Sequence, residues 1–338
     1  MRYLVTGSAG FIGNHVALTL LERGHEVLGV DNLNSYYDPR LKAARRARLT
    51  AKPSYQDAEL DIADAAALAP ALDAFQPERI LHLAAQAGVR YSVENPTAYA
   101  DSNLVGFTNI LEAARAHGVD HLVYASTSSV YGANARAPFE ERHGAAHPLS
   151  FYAATKRANE AMAHAYAHLF KIPCTGLRFF TVYGPWGRPD MALFKFPAAM
   201  LEGRPIDVYN NGQMARDFTY IDDIVGGVLA VADHPARPAA DHALASAAPD
   251  PDQSGVAPHR LFNIGRGAPV ELMAFIRVLE EKLGRKAEIN FMPMQPGDVA
   301  ATCASTDALE AAVGYRATTP VEEGVSRFVD WYRKHYGV

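Results

Sequence analysis

Tyr3-Leu-Val-Thr-Gly7-Ser-Ala-Gly10-Phe-Ile-Gly13 opens the chain with an apolar, strand-like run that leads straight into a glycine triplet. A strand, a tight glycine turn and a helix start, in that order, are what a phosphate-cradling loop requires. Gly7 permits the turn, Gly10 lets the backbone approach a pyrophosphate, and Gly13 lets helix and strand pack closely. The helix that follows would offer free N–H groups and a positive dipole end to the anion. The spacing is G-x-x-G-x-x-G rather than G-x-G-x-x-G, so its weight comes from the strand-loop-helix context. Gly7, Ala9, Gly10, Phe11, Ile12 and Gly13 are the first candidate contacts to a dinucleotide.

The same alternation continues outward. Glu26 to Val30, Arg79 to Leu83 and His121 to Ala125 read as further strands, and Ile12 to Glu22 and Val105 to His117 as helices between them. Such alternation implies βαβ crossovers, hence an α/β fold: a Rossmann-type doubly wound parallel sheet with helices on both faces. Residues 171–180 read as one more strand. We expect an NAD-binding domain over residues 1–180, to which segments around 215–232 and 258–270 return. The smaller α/β substrate-binding region would then cover 181–338. Residues 233–260, rich in Ala, Pro, Asp and Ser, read as a surface insertion with little structure of its own. Leu272 to Leu283 and Val321 to Tyr332 read as helices, and no internal repeat is visible.

Asp31 ends the second strand, where a carboxylate can bind the adenosine ribose hydroxyls. It would repel a 2′-phosphate, and no Arg or Lys follows until Arg40, so NAD is favoured over NADP. Asn32 and Asn34 could assist at the ribose. Asp61 and Ile62 could meet the adenine, although Asp61 could equally cap a helix. Leu83, Ala84 and Ala85 supply the small residues that backbone close to a dinucleotide needs.

Bulk properties exclude several classes. The chain has 338 residues, of which 49% are hydrophobic and 20% charged, with a net charge of -5. That composition suits a globular enzyme with a large core and argues against a nucleic-acid partner or a polybasic membrane surface. Cys174 and Cys303 are the only cysteines; they form no C-x-x-C, give no metal site, and suit a reducing cytoplasm. The N-terminal apolar run is too short for a signal peptide or a membrane span, so the mature protein is expected to begin there.

Tyr152-Ala-Ala-Thr-Lys156 carries the chemistry. A phenol and an ammonium four residues apart share one helix face, and a fixed positive charge would draw the phenol pKa down toward working pH. Such a pair can also be a plain surface pair. Upstream, Tyr124-Ala-Ser126-Thr127-Ser128-Ser129 places hydroxyls at the carboxyl end of a strand, where open α/β sheets bind ligands, although a serine-rich turn reads the same way.

Taken together, these motifs resemble the extended short-chain dehydrogenase/reductases that modify nucleotide sugars, over essentially the whole chain. Four long stretches sharpen the likeness: Asp31-Asn-Leu-Asn-Ser-Tyr-Tyr-Asp38, Gln86-Ala-Gly-Val-Arg-Tyr-Ser-Val-Glu-Asn-Pro96, Tyr183-Gly-Pro-Trp-Gly-Arg-Pro-Asp-Met191 and Arg216-Asp-Phe-Thr-Tyr-Ile-Asp-Asp223. The branch they most resemble is that of the UDP-glucuronate 4-epimerases. The resemblance implies a catalytic triad of Thr127, Tyr152 and Lys156, with Lys156 also holding the nicotinamide ribose and Asn103 joining the cofactor set. It implies abstraction of the C4 hydride to NAD, rotation of a 4-keto sugar, and return of the hydride to the other face. Substrate contacts implied are Arg90, Thr127, Ser128, Ser129, Tyr152, Thr181, Arg188, Val208, Tyr209, Arg216, Gln295 and Asp298. Gln295 stands where galactose epimerases carry Arg. A homodimer packed through long helices is implied as well.

Related 4,6-dehydratases carry an Asp-Glu pair after the threonine, and decarboxylases of UDP-glucuronate carry a Glu at the position of Ser129. Ser128 and Ser129 therefore argue against both. A uronic acid oxidised at C4 is a β-keto acid, which loses CO2 when its C5–C6 bond aligns with the carbonyl π system. A rigid guanidinium fork suits a clamp against that alignment, and Arg188 is the candidate, unless it is only a surface turn residue. The alternatives within enzymes are a UDP-glucose/UDP-galactose 4-epimerase and a UDP-glucuronate decarboxylase. The non-enzyme alternative, an NAD-binding sensor or scaffold, would be marked by loss of Tyr152 or Lys156, and both are present.

Overall fold

The computed structural model describes residues 1–134, 136–238, 254–295 and 299–338. Its first half runs β1 (Arg2–Thr6), α1 (Phe11–Glu22), β2 (Glu26–Asp31), α2 (Pro39–Thr50), β3 (Tyr55–Glu59), α3 (Ala65–Phe75) and β4 (Arg79–His82). Two short helices, α4 (Tyr91–Glu94) and α5 (Pro96–Tyr99), lead through a π-helical turn into α6 (Gly106–His117), followed by β5 (His121–Thr127), α7 (Phe151–Phe170) and β6 (Cys174–Phe179). The second half holds β7 (Thr181–Tyr183), α8 (Ala192–Glu202), β8 (Ile206–Val208), β9 (Ala215–Tyr220) and α9 (Ile221–Ala232). It continues with β10 (His259–Ile264), β11 (Pro269–Glu271), α10 (Leu272–Leu283), β12 (Ile289–Phe291), α11 (Asp307–Val313) and α12 (Val321–Tyr336).

Seven strands form one parallel sheet in the order β10-β6-β5-β4-β1-β2-β3. The chain winds outward from β1 in both directions, so the crevice between β1 and β4 is the topological switch point where such sheets bind ligands. Buried on both faces, β1, β4 and β5 have near-continuous apolar runs, whereas the edge strand β3 exposes Gln56, Asp57 and Glu59. Helix ends follow local chemistry. Asp38 caps α2 through the Arg40 N–H with Pro39 at its first position, and Ser150 caps α7 through the Ala153 N–H. Gly118 ends α6 in the left-handed conformation that favours glycine.

Two expectations are corrected. Residues 215–220 do not join the large sheet: β9 pairs with β7 and β11 in a separate three-stranded sheet, because β7 turns the chain away from β6. Only α9 returns, lying against α1 and β5. The expected insertion at 233–260 runs two residues too far, since His259 and Arg260 already pair with Cys174 and Thr175. Its residues 239–253 lie outside the described residues.

A buried ion pair docks α7 on the sheet. Glu160 and Arg178 are each about 1% exposed, and the guanidinium meets the carboxylate with two bonds, Nε to Oε1 at 2.8 Å and Nη2 to Oε2 at 2.9 Å. Ser126 Oγ and Arg157 Nη1 donate to the remaining lone pairs at 2.7 and 2.9 Å. A fork-to-fork pair this well satisfied holds three elements, β5, β6 and α7, in one geometry. Removing one partner strands the other charge in the core. Glu160→Ala should therefore destabilise the protein by about 3–5 kcal/mol, read as a shift of the urea midpoint with unchanged slope. A loss below about 1 kcal/mol, the range of exposed pairs, would show that the pair is not what holds α7.

Candidate active site

A cleft of about 400 Å³ opens at the carboxyl ends of the sheet strands, within the range of small-molecule sites. Its floor is the glycine loop. A Cβ on Gly13 would lie 2.1 Å from the Gly7 carbonyl oxygen, and one on Gly7 2.8 Å from the Ala84 nitrogen. Only glycines let α1, β1 and the segment after β4 approach this closely. Gly10 is the N-cap of α1, with no side-chain cap bond and no acidic residue in the first turn, so the helix N-terminus can receive an anion. These residues fit the pyrophosphate of a dinucleotide.

The cleft gathers Gly7, Gly10, Phe11, Ile12, Gly13, Asp31, Asn32, Asn34, Asp61, Ile62, Leu83, Ala84 and Ala85. Asp61 lines the cleft while accepting from the Ala63 N–H at 2.8 Å and Asn32 Nδ2 at 3.0 Å; the helix cap considered for it falls instead to Asp64, which accepts from the Ala67 N–H at the start of α3. Two expected cofactor contacts do not face the cleft. Ala9 is buried, its N–H donating to Asp31 Oδ2 at 3.1 Å and its carbonyl accepting from Arg45. Asn103 sits in the π-helical turn and spends its amide on both backbone groups of Gln86 and on the Thr155 hydroxyl, so it positions the cleft wall from behind. Lys42, overlooked in the sequence because it lies a turn inside α2, reaches Asp31 Oδ1 at 3.6 Å and Asn34 Oδ1 at 3.0 Å. The signal available was the Asp38-Pro39 helix start, which turns Lys42 back toward the end of β2.

Thr127, Ser128, Ser129, Tyr152, Lys156, Thr181 and Arg188 line the same cleft. Thr127 Oγ1 accepts from the Ser129 N–H at 3.2 Å and donates to Ser129 Oγ at 3.3 Å. Tyr36, Gln86, Gly88 and Met191 join them; each lies in a stretch quoted for the likeness but was not among the site candidates. Arg90 stacks over the Tyr209 ring at 5.1 Å, bringing α4 to the second half of the chain. Arg216 donates to the carbonyls of Ala215 and Ala300 at 3.0 and 3.1 Å. Val208 is buried in β8. Arg90, Val208, Tyr209, Arg216 and Gln295 are not part of the cleft wall around Tyr152, and Asp298 lies outside the described residues.

The electrostatics differ from the expectation for the Tyr-Lys pair. Burial raises the Tyr152 phenol, opposed chiefly by the Thr127 hydroxyl and then by the Arg188 guanidinium rather than by Lys156. The reason is position. Lys156 is buried one turn further along α7, its ammonium answering to Glu160 and pressing on His82, which burial and this charge push down to about 3. Arg188 reaches Tyr152 from the turn after β7.

Fold and cleft together define an enzyme that holds a dinucleotide against a helix bearing tyrosine and lysine. Residues 3–245 match the model of the NAD dependent epimerase/dehydratase family, and the chain belongs to that family. It is 53% identical over 336 residues to a probable UDP-glucuronate 4-epimerase of Rhizobium meliloti, covering 99% of this chain and 98% of that one. Among solved structures, it superposes with a TM-score of 0.86 and 31% identity on a Bacillus cereus UDP-glucuronic acid 4-epimerase in complex with UDP-glucuronic acid and NAD, covering 99% and 100% of the two chains. A Thermotoga maritima UDP-glucose 4-epimerase with UDP-glucose gives 0.84 and 28%, with 99% and 100% covered.

Burial lowers the Lys156 ammonium to about 8, with Glu160 pulling it partly back. A folded-state value below the unfolded one means that the charge costs stability in full below pH 8. The cost fades as pH rises toward the ordinary lysine value near 10.4, because only the unfolded chain then still holds the proton. Lys156→Met should accordingly gain stability over the wild type most strongly below pH 8, with the difference shrinking above it. A difference in urea stability that stays constant from pH 7 to pH 10 would contradict this account of the buried ammonium.

Proposed function

We propose that the protein is a UDP-glucuronate 4-epimerase, interconverting UDP-glucuronate and UDP-galacturonate. The observation that carries the reading is Arg188, a guanidinium on the cleft wall whose charge reaches Tyr152, in a site whose threonine is followed by two serines. The relatives named above support it. Tyr152, supported by Thr127, takes the proton of the C4 hydroxyl and later returns it. NAD, held by the glycine loop, Asp31 and Lys156, supplies the hydride acceptor and donor. Thr181 and the Ser128-Ser129 pair offer hydroxyls to the sugar. Arg188 holds the C6 carboxylate so that the C5–C6 bond stays out of line with the C4 carbonyl. Arg90, Val208, Tyr209, Arg216, Gln295 and Asp298 would bind the UDP end.

A homodimer belongs to this reading, supported by the exposed apolar side chains of Val105, Leu169 and Phe170 beside and on α6 and α7. So does a cytoplasmic setting, supported by two unpaired cysteines; among the described residues, no helix is long and apolar enough to cross a membrane. The likeness to the UDP-glucose 4-epimerase makes a neutral hexose the second reading.

Incubation of the purified protein with UDP-glucuronate, without added NAD, should give UDP-galacturonate; turnover of UDP-glucose alone would favour the second reading. Tyr152→Phe should lower kcat by about 10²-fold or more. Thr127→Val should move the rising limb of the pH–activity profile to higher pH, since the hydroxyl that lowers the phenol is gone; an unmoved pH profile would remove Thr127 from that role. Arg188→His should release CO2 and pentose nucleotide from UDP-glucuronate. Clean epimerisation by that variant would count against the clamp.

A further inference from the structure

Arg188 does not stand alone in the cleft wall. Its Nε donates to Asp190 Oδ1 at 3.0 Å and its Nη2 to Asp190 Oδ2 at 2.5 Å, so one whole edge of the fork is occupied by a carboxylate two residues on. Tyr36 Oη donates to the same Asp190 Oδ2 at 3.3 Å. Tyr36 belongs to the segment between β2 and α2, a few residues after Asp31, and its ring packs on Tyr91 at 5.0 Å. A Cβ on Gly88 would lie 2.8 Å from Tyr36 Oη and 3.8 Å from Arg188 Nη2, so the backbone of the Gln86 segment closes over both groups. Three segments distant in sequence thus meet on one guanidinium.

We propose that Asp190, braced by Tyr36, is a specificity-determining positioning residue. It occupies the Nε and Nη2 edge of Arg188 and thereby holds the Nη1 end of the fork toward the sugar carboxylate. This rests on the uronic-acid reading given above. The physical reason is geometric. A guanidinium binds a carboxylate in two parallel bonds along either of two edges, and a side chain free to use both would let the sugar carboxylate tilt. With one edge committed, a single orientation remains. Tilt has a chemical consequence, because alignment of C5–C6 with the C4 carbonyl lets CO2 leave. The bonding pair then passes into an enolate, and a proton adds at C5, giving a UDP-4-keto-pentose with no further oxidant.

The test is the partition of UDP-glucuronate between UDP-galacturonate and decarboxylated pentose nucleotide, a ratio that does not depend on how much enzyme is folded. Asp190→Ala holoenzyme should shift this partition about tenfold or more toward the pentose and raise KM for UDP-glucuronate about tenfold, as expected for one lost charged hydrogen-bond partner. Asp190→Glu, which keeps the carboxylate, should recover most of the wild-type partition. Tyr36→Phe removes one hydroxyl and should move it in the same direction by about threefold; it carries the test if Asp190→Ala does not fold. A wild-type partition and KM in Asp190→Ala, or in Tyr36→Phe where that variant carries the test, would overturn the inference while leaving the epimerase reading intact. Failure of the wild type to convert UDP-glucuronate would overturn both.

Discussion

The contact between Glu160 and Arg178 is the constraint on which the active-site geometry rests. Two buried charges are tolerated because every strong donor and acceptor is used, with Ser126 and Arg157 completing the carboxylate. The pair ties the third turn of α7 to β6 and to the end of β5. Once that turn is fixed, Tyr152 is set beside Thr127 and Lys156 beside His82, and their separation is set by the helix. The network extends outward: Arg178 lies over the Tyr131 ring at 4.7 Å, and Tyr131 Oη reaches Asn263 Oδ1 at 2.7 Å. The segment after β5 is thereby held by a strand from the far edge of the sheet.

A second buried cation performs the matching task on the other side of the cleft. Arg45 is fully buried and meets carbonyls rather than a carboxylate: Ala9 at 3.3 Å, Trp186 at 2.5 Å and Gly187 at 2.8 Å, with Tyr37 Oη at 2.7 Å. It joins the glycine loop to the turn that carries Arg188. The glycine loop and the turn that carries Arg188 are therefore not independent parts. A shift in one is transmitted through a guanidinium with no room to move.

Electrostatic influence within the cleft is distributed differently from what helical spacing suggests. Tyrosine and lysine four residues apart do share a face, yet Lys156 sits deeper, beside Glu160 and His82, and the cation acting on Tyr152 comes from the turn after β7. Helical spacing states which residues share a stripe. It does not state how deep each side chain lies or what else reaches the same point.

Much of the fold was legible along the chain because local rules governed it. Glycine spacing, apolar runs and their alternation with helices gave the parallel sheet, and the Leu272–Leu283 helix matches its apolar period end to end. The candidates that line the cleft include those following directly on strand ends, Gly7, Gly10 to Gly13, Asp31, Leu83 to Ala85 and Thr127, because a parallel sheet carries all such ends to one edge. Lys42, Tyr36 and Asp190 were not legible, since each reaches its partner across segments whose meeting no period encodes. Ala9 and Asn103 lie off the cleft lining, their amides bonded within the protein, which a motif cannot show. The linear order of residues thus determined the sheet, the nucleotide loop and the reacting helix, all built from contacts within a few residues or from one strand to the next. Only the tertiary structure decided which charges face the substrate, because burial and long-range pairing set the direction and strength of each charged group.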